Sequence, residues 1–124
     1  MYTFDTNPII YYINEEPAAV ALLDDLFAQA VPFYTSTITE HELFSYPALT
    51  EEEAERIEAF LRQVRLVPVF SNVARLAGDL RRLYPRLKGF DSMVAATALY
   101  TNSTLITRNL RDFERIDGLS LLAI

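Results

Sequence analysis

Five short β-prone segments, at residues 2–4, 31–36, 66–70, 104–107 and 119–123, are held apart by longer stretches with helical patterning. That alternation constrains the fold more than any other feature, because strands separated by helices favour a parallel α/β sheet with helices on both faces. The intervening signals are specific. Residues 18–30 place Val20, Leu22, Leu23, Leu26 and Phe27 on one face and Asp24 and Asp25 on the other, which predicts a one-sided helix. Thr39-Glu40-His41-Glu42 and Thr50-Glu51-Glu52-Glu53 both read as capping boxes. The second opens a helix over residues 50–65 with acids in its first turn and bases in its last.

Further along, Pro68 demotes the third strand toward a sheet edge. Ser71 or Asn72 is the expected cap of a helix over residues 72–84 that Pro85 stops. Asp91 opens a helix of small residues suited to close packing on a sheet, and residues 109–113 form a short turn or helix. The 124 residues suit one domain spanning 1–124, large enough to hide roughly two thirds of its unfolded surface. No apolar run reaches the ~20 residues of a bilayer span, there is no signal-peptide pattern, and there is no cysteine. These features point to a cytoplasmic protein with no membrane association.

Charge is divided unevenly. Residues 1–55 hold eleven acids and no Lys or Arg, whereas residues 56–124 hold eleven bases, ten of them Arg, against six acids. The net charge of -6 argues against phosphate-driven non-specific nucleic-acid binding. A local Arg surface could still guide a phosphate backbone.

Sites in open parallel sheets form beyond the carboxyl ends of the strands, and three acids fall there: Asp5 after the first strand, Glu42 within a turn of the second, and Asp91 before the fourth. Oxygen donors of this kind suit Mg²⁺ or Mn²⁺, which can activate water and neutralise charge on a phosphodiester. Each acid also has a structural reading, Asp5 and Asp91 as helix caps and Glu42 as the closing member of its capping box, and local pattern favours those roles. Other chemistries lack their residues. There is no glycine-rich phosphate loop, no cysteine, no serine elbow motif, and the single histidine, His41, reads as a surface residue. The seven Tyr and eight Phe are spaced as core residues.

Four segments together resemble the PIN-domain family, and within it the VapC-like toxin branch of type II toxin–antitoxin systems. They are Tyr2-Thr3-Phe4-Asp5-Thr6-Asn7, Ser36 through Leu43 containing Thr39-Glu40-His41-Glu42, Lys88-Gly89-Phe90-Asp91-Ser92-Met93-Val94-Ala95, and Leu105-Ile106-Thr107-Arg108-Asn109-Leu110-Arg111-Asp112-Phe113. The resemblance implies a PIN-like fold with a mostly parallel sheet, and an endoribonuclease dependent on Mg²⁺ or Mn²⁺. It further implies a homodimer held inactive by a cognate antitoxin. Asp5, Glu42 and Asp91 match the family's metal-binding acids, while Asn7 and Thr107 match supporting polar positions. Many members carry a fourth acid where this chain has Asn109, so either Asn109 or Asp112, three residues on, is expected to complete the site. A groove between the helix over 50–65 and residues 8–30 is the expected antitoxin seat. The competing reading is a non-catalytic PIN-like scaffold that binds a protein or RNA partner.

Overall fold

The computed structural model describes all 124 residues, Met1–Ile124. Five strands form one sheet in the order β3-β2-β1-β4-β5, with every neighbouring pair parallel. The strands are β1 (Tyr2–Phe4), β2 (Phe33–Ser36), β3 (Arg65–Val67), β4 (Thr104–Thr107) and β5 (Leu121–Ala123). The helices are α1 (Thr6–Ile13), α2 (Pro17–Phe27), α3 (Thr37–Phe44), α4 (Glu51–Leu61), α5 (Ser71–Leu83), α6 (Gly89–Tyr100) and α7 (Leu110–Phe113). The α/β architecture expected from the alternating pattern is therefore present.

Strand side chains alternate between the two faces of the sheet, and each face has its own core. Leu105 joins Val73, Ala77 and Leu80 of α5 and Val94, Ala95 and Ala98 of α6. Its neighbour Ile106 joins Phe4, Ile9, Leu23 and Phe60 on the opposite side. The expected aromatic core lies there: Phe27 sits 4.8 Å from Phe33 and Phe4 sits 5.3 Å from Phe60, centroid to centroid. On the other face Ala95, Ala96 and Ala98 are fully buried, so the small-residue helix does approach its neighbours closely.

Several element ends differ from the sequence reading. β2 begins at Phe33 rather than at residue 31, and β3 occupies residues 65–67, leaving Pro68 outside an edge strand. α2 stops at Phe27, three residues early. The Thr50 capping box is formed in full, but α4 ends at Leu61 and no base lies in its last turn. Neither Ser71 nor Asn72 caps α5. Phe70 holds the cap position without a side-chain bond, and burial of Val73, Ala77 and Leu80 sets the helix instead.

Candidate active site

Phe4 is in register with Thr35 on one side and Ile106 on the other, so β1, β2 and β4 end at one level. The residues that follow or close them are Asp5, Ser36 and Thr107, all buried. Asp5 keeps 6% of its surface exposed and divides its carboxylate between two tasks. Oδ1 accepts the Thr6 backbone N–H at 2.8 Å as the α1 cap, and Oδ2 accepts the Thr107 hydroxyl at 2.8 Å. The cap reading of Asp5 thus holds, and its second oxygen faces the exit of β4. Thr107 Oγ1 also accepts the Asn109 backbone N–H at 3.0 Å, which ties the β4 exit to Asp5.

The capping box at Thr39 is a correction. Ser36 caps α3 by accepting the Ile38 N–H at 3.1 Å, so the helix begins before Thr39. Thr39 is fully buried inside it with an unpartnered hydroxyl. Glu42 is therefore released from any backbone duty and accepts the Thr6 hydroxyl at Oε1, 2.9 Å away. Thr6 was not singled out from sequence, yet its N–H serves Asp5 and its hydroxyl serves Glu42. The signal was present in its position directly after the strand-terminal acid.

Asp91 is also corrected. Lys88 occupies the cap position of α6, and Asp91 sits in the first turn with its carboxylate half-buried. Its pKa is pushed up to about 6, first by burial and then by the negative charges of Asp5 and Asp112, with Glu42 adding a smaller push and Lys88 a partial offset. Asp5 is likewise raised by burial, against which its bonds from Thr107 and Thr6 act, and Asp112 raises it further. Four carboxylates thus act on one another at one end of the sheet.

Glu42, Asp91, Asn109 and Asp112 line one open cavity of about 530 Å³. The turn of α7 brings Asp112 to it, as the spacing from Asn109 predicts, and Asn109 lines it as well. Asn7 stands to one side, in a groove of about 740 Å³ bordered by Ile10 and Ile13 of α1, Leu43 of α3 and Ile57 of α4. That groove is close to the one expected, although it contains no residue of α2. His41 is exposed, with its ring 5.9 Å from that of Phe90.

No three of the chain's acidic or histidine side chains stand ready as a set of metal ligands. Their chemistry nonetheless suits a hard divalent cation. The donors are all carboxylate oxygens, and the repulsion that adds to burial in raising Asp91 is what a positive charge among them would offset. Gathering them on one ion requires side-chain rotation, which the exposed Asp112 is free to make.

A model of the PIN domain matches residues 2–119. Ribonuclease VapC19 of Mycobacterium tuberculosis is 31% identical over 117 residues, covering 91% of this chain and 92% of that protein. Among solved structures, VapBC2 from Rickettsia felis bound to a DNA fragment from its promoter contains a chain with TM-score 0.86 at 25% identity, covering 99% of this chain and 98% of that one. A toxin–antitoxin complex from Klebsiella pneumoniae gives 0.82 at 28% identity, with 99% and 97% covered.

Proposed function

The chain belongs to the PIN domain family, and from that premise we propose that it is an endoribonuclease toxin of a toxin–antitoxin pair, dependent on Mg²⁺ or Mn²⁺ and restrained by a cognate antitoxin. The observation that carries the proposal is the convergence of Asp5, Glu42, Asp91 and Asp112 beyond the carboxyl ends of the strands, where burial first and then the charges of the other three acids raise the pKa of Asp91. Repelling carboxylates are a cost to the fold unless something cationic uses them.

Asp5, Glu42 and Asp91 would hold the cation, with Asp112 or Asn109 completing its surroundings. When bound, such an ion supplies charge neutralisation at the phosphodiester and activates water for its hydrolysis. The chain's own residues orient the site. Thr107 and the Thr6 amide fix both oxygens of Asp5, and the Thr6 hydroxyl fixes one oxygen of Glu42, so the two acids present their remaining lone pairs in set directions. Asp91 and Asp112 stand on separate helices and close the cavity from the other side.

The groove between α1, α3 and α4 supports the antitoxin part of the reading. It mixes apolar residues such as Ile10, Ile13, Leu43 and Ile57 with polar ones and reaches Glu42, so an amphipathic segment seated there would bring a basic side chain to the acids. The family's habit supports a homodimer in the cytoplasm, and no helix is long and apolar enough to cross a membrane.

Cleavage of single-stranded RNA by the purified protein tests the central claim. Activity should require added Mg²⁺ or Mn²⁺, vanish with chelator, and fall at least 100-fold in Asp5→Asn, on the scale of losing a group that stabilises transition-state charge (about 10²–10³). Undiminished cleavage by that variant would sink the assignment. If instead calorimetry finds no binding at millimolar metal and no RNA is cut, the scaffold reading replaces it.

A further inference from the structure

An acidic centre repels the strand it is meant to cut, so the phosphates on either side of the scissile bond need cationic partners nearby. One cavity supplies them. It measures about 640 Å³ and is lined by Arg86, Lys88, Arg111 and Arg115, with Asp91 and Asp112 in its wall. Those two acids also line the carboxylate cavity, so the two spaces adjoin. The chain's two ion pairs are Arg82 with Asp79 and Arg108 with Glu16, so none of these four cations is locked in a direct ion pair.

The cavity also has a built frame. Leu87 and Ile116, 5% and 4% exposed, anchor the backbone beside Arg86, Lys88 and Arg115 in the core. The Tyr84 hydroxyl accepts the Asp117 N–H at 3.0 Å, joining the loop before α6 to the segment after α7. Four cations on two tethered segments therefore face one space that holds two acids, Asp91 and Asp112.

We propose that this cavity is a phosphate-binding subsite for the RNA strand that runs out of the carboxylate centre on the α7 side. The inference rests on the ribonuclease reading and adds to it where the substrate backbone lies. Guanidinium groups donate bidentately to phosphate oxygens, and Lys88, the one cation that also acts on Asp91, lines both cavities at their junction. An acidic peptide would also meet these cations. The shared wall favours a phosphodiester chain, because the occupant continues directly into the acid cavity, where a divalent ion can neutralise a phosphate.

The test is a salt titration of binding, by fluorescence anisotropy, between the intact protein with chelator present and a labelled single-stranded RNA of about 12 nucleotides. Each phosphate contact removed lowers the slope of log K against log salt by about 0.7, so Arg86→Gln/Arg111→Gln/Arg115→Gln should lose about 2 from the slope. A control triple, Arg62→Gln/Arg65→Gln/Arg75→Gln, lies outside the cavity and should leave the slope unchanged. In cleavage with Mg²⁺, the first triple should raise KM for a long RNA with kcat nearly unchanged. An unchanged slope in the first triple, or an equal loss in the control, overturns the proposal. Absence of cleavage by the wild-type protein alongside an intact slope difference overturns the ribonuclease reading and leaves the phosphate subsite standing.

Discussion

Asp5 shows how a single side chain can satisfy a local rule and a distant one together. One oxygen caps α1 and the other accepts from Thr107, 102 positions along the chain. Replacing Thr107 by Val removes that donor and the acceptor for Asn109 in a fully buried place, which should cost roughly 1–3 kcal/mol of stability, read from urea unfolding. Thr107→Ser keeps the hydroxyl and should recover most of it. Asp91 makes a prediction about pH. Its folded pKa of about 6 lies above the ordinary 3.8, so between those values the folded state holds more proton than the unfolded state. Stability must then fall as pH rises from 4 to 6, and the cost is complete above 6. Asp91→Asn should melt higher than wild type at pH 7.5 in the absence of divalent ions and show a shallower loss across that window; an identical pH profile would contradict the shift.

At the level of elements, two capping boxes of the same pattern meet different fates. The one at Thr50 forms, because the chain before it is free to turn and α4 has no competing start. The one at Thr39 does not, because Ser36 ends a strand that runs directly into α3 and takes the capping role three residues earlier. Thr50→Ala should therefore lower stability by about 1 kcal/mol, or roughly 3–6 °C in melting temperature, with RNA cleavage unaffected. α6 is constrained differently. Ala95 and Ala98 are fully buried, so Ala98→Leu should cost about 1–3 kcal/mol through overpacking, seen as a lower urea midpoint.

For the whole molecule, the uneven charge of the sequence becomes a spatial arrangement. Acids from α3, α6, α7 and the β1 exit meet at one end of the sheet, and cations from the second half of the chain stand immediately beside them. Since a ligand that binds only the folded state stabilises it by RT ln(1 + [L]/Kd), Mg²⁺ or Mn²⁺ at 100 times its Kd should add about 2.7 kcal/mol. A thermal melt with and without chelator measures this, and the gain should vanish in Asp5→Asn. A melting temperature indifferent to divalent ions would argue that the carboxylates hold none.

The alternation of strands and helices and the approximate place of each were legible in the sequence, because hydrophobic period and turn chemistry are local properties that neighbours within a few residues determine. The first strand, the formed Thr50 box, the helix stopped before Pro85 and the last two strands belong to that class. Only the tertiary structure decided what each polar group bonds to. Glu42 turned from its own helix to Thr6, Asp91 lost its cap role to Lys88, and Arg86 and Arg115 came to share a cavity wall with Asp112. A hydrogen bond or a charge pair is worth having wherever the fold brings its members together, and sequence distance does not enter that energy.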